Sequence, residues 1–287
     1  MNWLVTGAHG LLGTDVCRTL VDRGIAHTPV GRRDLDLTDR DAVLVAVAGH
    51  TVVVNCAAWT AVDRAETHEP GAFEINATAA GVLAGAARDH GALVVHVSTD
   101  YVFDGRARSP YDEDATPAPA SAYGRTKAAG EEAVRAEAPK RHLVVRTAWL
   151  YGAHGSCFPR TIAKLARDRA AVDVVDDQVG PPTWTRDVAD LVVRLVEAQA
   201  PTGTWHATAG GETTWCGFAR EVVGSAGLSP DVVRAVDSAA FPREAPRPAY
   251  SVLGHDRLVR HGIEPIGHWQ QRWRAAASEV LALEQLE

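Results

Sequence analysis

The chain has 287 residues, of which 46% are hydrophobic, and a formal net charge of −7. This length and apolar content suit a folded protein with a large core, and an acidic chain without a basic block is a poor match to nucleic-acid binding. The four cysteines form no C-x-x-C pair, and no apolar run reaches the length of a membrane span. We therefore expect a cytoplasmic protein with reduced thiols and with no membrane or nucleic-acid partner.

Short apolar runs alternate with helical patterns in the first half of the chain. In order, the predicted elements are strand 2–6, helix 14–23, strand 26–30, helix 39–47, strand 51–56, helix 72–90, strand 93–98, helix 121–138 and strand 142–146. This alternation is typical of an α/β fold, a Rossmann-type doubly wound parallel sheet with helices on both faces. Such sheets bind ligands beyond the carboxyl ends of their strands.

The alternation loosens in the second half of the chain. Helices are predicted at 158–169 and 187–197, and one more strand at 203–207. We expect residues 1–150 to form a dinucleotide-binding Rossmann domain, with parts of 170–207 added back to it. Residues 151–287 would then form most of a smaller α/β domain that binds the substrate.

A glycine-rich turn joins the first predicted strand to the first helix. Gly7 permits a tight turn, Gly10 lets the backbone approach a pyrophosphate, and Gly13 lets the helix pack close to the sheet. Three glycines alone can be only a turn, but between a strand and a helix N-terminus they indicate a dinucleotide site. The expected cofactor contacts in this turn are Gly7, His9, Gly10, Leu11, Leu12 and Gly13.

The end of the second predicted strand bears on the choice of cofactor. A ribose 2′-hydroxyl calls for an acidic residue there, whereas Arg32 and Arg33 suit a 2′-phosphate. Unless both are simply surface arginines, they favour NADPH, with NADH left open. Further along, the residues expected near the cofactor are Asp36, Leu37, Ala57 and Ala58.

Tyr123 and Lys127 lie four residues apart near the start of predicted helix 121–138, so they share one helix face. A free phenol has a pKa of about 10, too high for efficient proton transfer at neutral pH. A nearby ammonium would stabilise the phenolate and lower the pKa of Tyr123. Y-x-x-x-K pairs often occur by chance. The upstream glycine turn and Thr99, which follows directly at the end of strand 93–98, are what make a catalytic role for this pair the better interpretation.

These features resemble the extended short-chain dehydrogenase/reductases and, more narrowly, the family of dTDP-4-dehydrorhamnose reductases and related 4-ketoreductases. The segments that carry the resemblance stand in the family's order and span nearly the whole chain. They are 7–13, 55–66, 97–105, 123–127, 146–152, 178–183 and 247–248.

The resemblance implies reduction of the C4 ketone of a dTDP-linked 4-dehydro-6-deoxyhexose, either on the way to dTDP-L-rhamnose or to another deoxysugar nucleotide. It gives Tyr123 the role of proton donor, Lys127 that of holding the ribose, and Thr99 that of hydrogen-bonding the ketone oxygen. The remaining residues that it implies are Thr60 at the cofactor and Asp100, Phe103 and Trp149 at the sugar; Trp149 alternatively reads as a core aromatic.

Asp15 matches a position that is acidic in some relatives, where it helps to bind magnesium at a dimer contact. A single carboxylate on a helix is more often a solvated charge, so we predict no metal site. Bound Mg²⁺ and a homodimer remain open alternatives.

Three other functions are compatible with parts of this pattern. A sugar-nucleotide 4,6-dehydratase needs an Asp-Glu acid pair after the strand-end threonine, whereas here Asp100 is followed by Tyr101. A 4-epimerase differs in the same motif. A regulatory subunit that binds NADP without catalysis also resembles the chain, and the presence of Thr99, Tyr123 and Lys127 together favours an enzyme.

Overall fold

The computed structural model describes residues 1–282, which form fourteen strands within that range. The strands are β1 (Asn2–Thr6), β2 (Ala26–Val30), β3 (Val52–Asn55), β4 (Leu93–Thr99), β5 (His142–Thr147), β6 (Leu150–Tyr151), β7 (Val172–Val175), β8 (Val179–Gly180), β9 (Thr183–Trp184), β10 (Gly203–His206), β11 (Ala209–Gly210), β12 (Thr213–Thr214), β13 (Val233–Val236) and β14 (Ile266–His268).

The helices between them are α1 (Leu11–Asp22), α2 (Arg40–Val47), α3 (Val62–Thr67), α4 (Glu69–Phe73), α5 (Ala79–Asp89), α6 (Ala122–Glu137), α7 (Phe158–Asp168), α8 (Thr185–Glu197), α9 (Trp215–Ser225), α10 (Asp256–Arg260) and α11 (Trp269–Leu281). A π-helical segment, Glu74–Thr78, joins α4 to α5, and a 3-10 turn, Asp100–Val102, follows β4.

Six strands form one parallel sheet in the order β10-β5-β4-β3-β1-β2. Alternate residues of these strands face opposite layers of the core. Leu4, Val53 and Val94 pack under α2, α5 and α6, whereas Trp3, Val54 and Val95 pack towards α1 and α8. Strands buried on both faces read as continuous apolar runs, which is why the sequence shows no alternation there. The expected doubly wound parallel sheet is confirmed.

The second half of the chain contributes to this sheet and also builds small sheets of its own. β10 pairs with β5 at the sheet edge, and α8 packs against α1. Four two-stranded sheets pair β6 with β9, β7 with β13, β8 with β12 and β11 with β14. The division at residue 150 stays a prediction, and residues 283–287 of the expected second segment lie outside the described part of the chain.

The helix predicted at 72–90 is wrong in detail, because the chain there passes from α4 through the π-helical segment into α5. The buried Asn76 lies in this π-helical segment. Its Oδ1 accepts from Trp59 N at 2.8 Å, and its Nδ2 donates to Trp59 O and to Thr126 Oγ1. These bonds tie the segment to the loop after β3 and to α6.

Within residues 1–282, every helix falls short of the length and apolar character that crossing a bilayer requires.

Candidate active site

The glycine turn lies where β1, β2 and β3 end. Gly7 has φ of +67°, and a Cβ added to it would lie 2.6 Å from Ala57 N, so the end of β3 closely approaches the turn. A Cβ at Gly13 would overlap Gly7 O. The helix α1 starts at Leu11, earlier than predicted, and Gly10 at its N-cap has no side chain to bond the first backbone N–H groups. This cradle of glycine backbone and N–H donors fits a pyrophosphate.

The other residues expected around the turn divide into exposed and buried ones. His9 is exposed, and its Nε2 lies 3.6 Å from Asp34 Oδ2 above the end of β2. Leu11 is half-buried, whereas Leu12 lies in the core, so only its backbone faces the turn. Ala57 and Ala58 are half-buried and Thr60 is exposed.

The segment after β2 combines the expected arginines with an acidic residue that sequence reasoning missed. Arg32 and Arg33 are exposed. Asp34 accepts a hydrogen bond from Gly31 N at 2.8 Å, which holds the turn. Asp36 accepts from Thr38, which lowers the pKa of its carboxyl, and Leu37 packs against the core beneath α2. Asp36 and Leu37 therefore shape the loop, and the arginines are the exposed cations beside the turn.

Thr99 and Tyr123 meet at the carboxyl end of β4. Thr99 pairs with Thr147 across the sheet, and its side chain lies close enough to the Tyr123 phenol to influence the pKa of that group. Ser121 caps α6 as predicted by accepting from Gly124 N at 3.1 Å, so Tyr123 occupies the first turn of that helix. Tyr101 packs its ring edge-on to Tyr123 at 5.5 Å. The chain thus places a hydroxyl and a phenol side by side at the edge where such sheets bind ligands.

The sequence predicts that Lys127 lowers the pKa of Tyr123, whereas in the structure that pKa is raised. Burial raises the pKa of Tyr123 well above its usual value, and the neighbouring Thr99 side chain opposes that rise. The Lys127 Nζ donates to Val97 O at 2.6 Å and lies 3.4 Å from His96 Nε2. Burial also lowers the pKa of Lys127 to about 8. Both side chains are enclosed, so loss of water outweighs the attraction that the spacing suggested.

Asp100 is a buried carboxyl beside this pair. Its Oδ1 accepts from Thr99 Oγ1 at 2.9 Å, and the Ser251 side chain, from the second half of the chain, lowers the pKa of this carboxyl against the effect of burial. Its Oδ2 has no partner within the described residues. Burial raises the pKa of Asp100 to about 6. Ser251 was missed because a lone serine in a loop carries no sequence signal.

Phe103 was expected at the sugar, but the structure encloses it. Its ring stacks on Tyr111 at 4.2 Å, and the Arg146 guanidinium lies 4.9 Å from the ring centroid. Only 2% of the side chain is exposed. The expectation was wrong because the strand-end turn directs this ring inward, where it packs beneath the site.

Trp149 is half-buried two residues beyond β5. Its φ is +50°, and its indole lies between Gly180, where a Cβ would overlap it, and Trp215. The two indoles stack at 3.6 Å with an angle of 4° between them. Sequence reasoning missed Trp215, since nothing local links it to Trp149. The stack connects β5 to α9 beside the candidate site.

A buried ion pair supports the strand ends from below. Arg146 on β5 bonds Glu131 on α6 at 2.7 and 2.8 Å, and Ser98 donates to Glu131 at 2.6 Å. Each carboxylate oxygen is therefore satisfied, as a buried charge requires. The pair fixes α6, which carries Tyr123 and Lys127, against β4 and β5.

Asp15 is buried, so the expectation of a solvated charge was wrong. It accepts a hydrogen bond from Thr185 and lies 3.7 Å from His154 Nε2, and burial raises its pKa. Within residues 1–282, no group of three or more His, Cys, Asp or Glu side chains is arranged to hold a metal ion.

Similarity to known proteins covers the whole described chain. The family model described as the RmlD substrate binding domain matches residues 1–282. A probable dTDP-4,6-dihydroxy-2-methyloxan-3-one 4-ketoreductase from Streptomyces antibioticus is 47% identical, over 99% of this chain and 97% of its own. A dTDP-4-dehydrorhamnose reductase from Streptomyces griseus is 48% identical, over 96% and 92% respectively. The solved structure of dTDP-4-dehydrorhamnose reductase from Bacillus anthracis in complex with NADP is 33% identical with a TM-score of 0.92, covering 96% of this chain and 98% of that one.

Proposed function

Because the chain belongs to the family of the RmlD substrate binding domain, we propose that it uses NADPH to reduce the C4 ketone of a dTDP-4-dehydro-6-deoxyhexose. Ketoreduction of a dTDP-sugar is the activity for which both Streptomyces relatives are named. The preferred substrate in this proposal is dTDP-4-dehydro-L-rhamnose, giving dTDP-L-rhamnose. The S. antibioticus relative, named for a different sugar, keeps a related deoxysugar nucleotide as the second choice.

The observation that carries this proposal is the placement of Thr99 at the carboxyl end of β4 and of Tyr123 in the first turn of α6 beside it. Ketone reduction needs a donor to polarise the oxygen and a proton to neutralise the alkoxide. Thr99 and Tyr123 supply these two groups side by side. Tyr101, whose ring packs against Tyr123, stands where a dehydratase carries the glutamate of its Asp-Glu acid pair.

The glycine turn supports a dinucleotide at this edge. The backbone of residues 7–13 and the N-terminus of α1 would hold the pyrophosphate, and Arg32 with Arg33 would bind a 2′-phosphate. Lys127 would hold ribose hydroxyls. When bound, NADPH supplies the hydride. The B. anthracis relative was crystallised with NADP, which supports this choice of cofactor.

Tyr123 is the proposed proton donor, and its environment suits that role. Burial keeps the phenol protonated at neutral pH, because its pKa is raised. An alkoxide is a stronger base than a phenolate, so the proton moves from Tyr123 once the ketone oxygen has gained its charge. Thr99 holds that oxygen through a hydrogen bond during the change.

The sugar would lie against Asp100 and Trp149. The free Oδ2 of Asp100 is a buried acceptor for a sugar hydroxyl, and the Trp149 indole is a flat apolar surface fixed by its stack on Trp215. Phe103 has no part in this proposal, because its ring is enclosed.

The decisive assay mixes the purified protein with NADPH and dTDP-4-dehydro-6-deoxyhexose and follows absorbance at the nicotinamide band. We expect oxidation of NADPH that depends on the sugar nucleotide. A folded protein that binds NADPH but oxidises none of it would contradict the proposal and would favour a regulatory, non-catalytic role.

A further inference from the structure

The Thr99 hydroxyl, at the carboxyl end of β4, has more possible partners than it has protons. A threonine hydroxyl carries one proton and two lone pairs. One lone pair accepts from Tyr101 N at 3.2 Å, and a backbone N–H can only donate. Asp100 Oδ1 lies 2.9 Å from the same hydroxyl oxygen. The single proton of Thr99 can therefore be donated either to Asp100 or to a bound ketone, but not to both.

The protonation state of Asp100 decides which of the two Thr99 can serve. An ionised carboxylate only accepts, so it holds the Thr99 proton in a charge-assisted hydrogen bond at 2.9 Å. A protonated carboxyl can instead donate from Oδ1 to the second lone pair of Thr99. The contact is then kept with its direction reversed, and the Thr99 proton is released for another acceptor.

Burial makes this choice costly to avoid. Thr99 and Asp100 are only 7% and 3% exposed, so little water can reach the atoms between them. A ketone oxygen accepts and has no proton to offer. If Thr99 donated to a ketone beside an ionised Asp100, two buried acceptors would face each other with no proton between them. Protonation of Asp100 removes this conflict.

We propose that Asp100 is a positioning residue that takes up a proton on Oδ1 when Thr99 binds the ketone, so that the ionised carboxylate opposes ketone binding. This inference rests on the proposed function, because it assumes that Thr99 donates to a ketone. The proton comes from solvent, and the only bond that forms on the protein is the O–H bond at Oδ1. The other carboxyl oxygen, Oδ2, stays an acceptor for a sugar hydroxyl.

The forces on the Asp100 carboxyl place its titration close to neutral pH. Burial is the largest influence and raises the pKa to about 6, against the lowering effect of the Thr99 and Ser251 side chains. About a tenth of the free protein then carries this proton at pH 7. In most resting molecules the carboxylate therefore holds the Thr99 proton, and binding of a ketone draws a proton from solvent.

The titratable groups that face Asp100 are phenols, which stay neutral near neutral pH. The Tyr101 phenol in the 3-10 turn and the Tyr123 phenol on α6 both interact with the carboxyl, and burial raises the pKa of each. Arg247, from the second half of the chain, acts on Tyr101, but its guanidinium is paired with Asp63 at 2.8 Å. Titration of this part of the site near pH 6 is therefore assigned to Asp100.

The first test follows kcat/KM for the dTDP-4-dehydro sugar at saturating NADPH, from pH 5.5 to 7.5, in the full-length protein. Because kcat/KM reports the enzyme before the sugar binds, we expect it to fall about tenfold per pH unit above about pH 6. Lys127, whose pKa is about 8, would affect the profile only at higher pH. A constant kcat/KM over this range would overturn the inference and leave the proposed function standing.

Two variants connect this slope to the hydrogen bond. Asp100→Asn keeps a donor for Thr99 and an acceptor for the sugar but cannot ionise, so its kcat/KM should not change with pH over this range, whatever its absolute value. Ser251→Ala removes a side chain that favours the ionised carboxylate, so the fall should begin at higher pH. A slope in Asp100→Asn equal to that of wild type would contradict the assignment to Asp100.

A binding measurement counts the same proton without turnover. Calorimetry of the dTDP-4-dehydro sugar binding to the NADP⁺ complex at pH 7, in buffers of different ionisation enthalpy, gives the protons taken up. We expect nearly one proton per bound sugar in wild type, with Asp100→Asn lacking this uptake as the matched control.

The outcomes of this measurement separate the two proposals. Binding to wild type without proton uptake would overturn the inference alone. A sugar nucleotide that is neither bound nor reduced would refute the proposed function and the inference with it. If Asp100→Asn fails to fold, the slope and the proton uptake of wild type decide.

Discussion

Three titratable side chains at the site, Asp100, Tyr123 and Lys127, share one electrostatic feature. Burial moves the pKa of each towards its uncharged form, upward for the carboxyl and the phenol and downward for the amine. Desolvation is the largest cause in all three cases, ahead of the neighbouring charges. Burial therefore brings the pKa of Asp100 and of Lys127 to within about one unit of neutral pH, where both groups can exchange protons.

Asp100 allows a test of this burial through protein stability. Its pKa is about 6 in the folded protein and about 3.9 in an unfolded chain. Its contribution to stability is thus full below about pH 4 and is lost as the pH rises to about 6, leaving a cost on the order of 3 kcal/mol above that. Asp100→Asn should unfold at higher denaturant concentration than wild type at pH 7.5, and the gap should close at pH 4. If Asp100→Asn were less stable than wild type at pH 7.5, the conclusion that burial destabilises the ionised Asp100 carboxylate would be wrong.

The arginines after β2 give a second test at the residue scale. Arg32→Ala with Arg33→Ala removes the exposed cations beside the glycine turn and should reduce the preference for NADPH over NADH roughly 10- to 100-fold, the strength of one or two charged hydrogen bonds. Binding of both cofactors by titration measures it. Arg40→Ala, also an exposed arginine after β2, is the control, and an unchanged preference in the double variant would exclude a 2′-phosphate contact.

At the scale of elements, the six strands of the main sheet were predicted well, whereas the short strands of the second half and the long-range contacts were not. Strands 2–6 and 26–30 match β1 and β2 because β-branched and apolar runs between turns are local signals. The π-helical segment was not predicted, because the bonds that accompany it join Asn76 to Trp59 and Thr126, which are distant in sequence. Tyr123 and Thr99 were placed correctly at the edge, whereas the direction of Phe103 and the pKa of Tyr123 depend on packing that no local pattern records.

The contact between β8 and the loop after β5 provides the element-scale prediction. A Cβ at Gly180 would overlap the Trp149 indole, so Gly180→Ala should displace the stack on Trp215 and destabilise the protein by about 1–3 kcal/mol. In the assay proposed above, KM for the sugar nucleotide should rise several-fold while cofactor affinity is kept.

Gly210→Ala in β11 is the matched control, because its added Cβ would meet no atom closer than 3.6 Å. Thermal unfolding and KM of the two variants should differ clearly. Equal behaviour would show that Trp149 is not held by this packing.

At the scale of the whole molecule, the sheet edge is completed by both halves of the chain. β1, β3 and β4 bring the glycine turn and Thr99 to one edge, while Ser251 and Trp215 reach it from the second half. β10 extends the same sheet, so the halves share one core. Under the proposed function, the cofactor cradle and the sugar surface would face each other across Thr99 and Tyr123.

The most direct test of the central claim compares wild type with Tyr123→Phe in NADPH oxidation driven by the dTDP-4-dehydro sugar. Phenylalanine keeps the packing against Tyr101 and removes only the proton donor. We expect turnover to fall by roughly 10²- to 10⁴-fold, the usual worth of a positioned acid, with NADPH affinity unchanged. Wild-type turnover in the variant would contradict the assignment of Tyr123 as the acid.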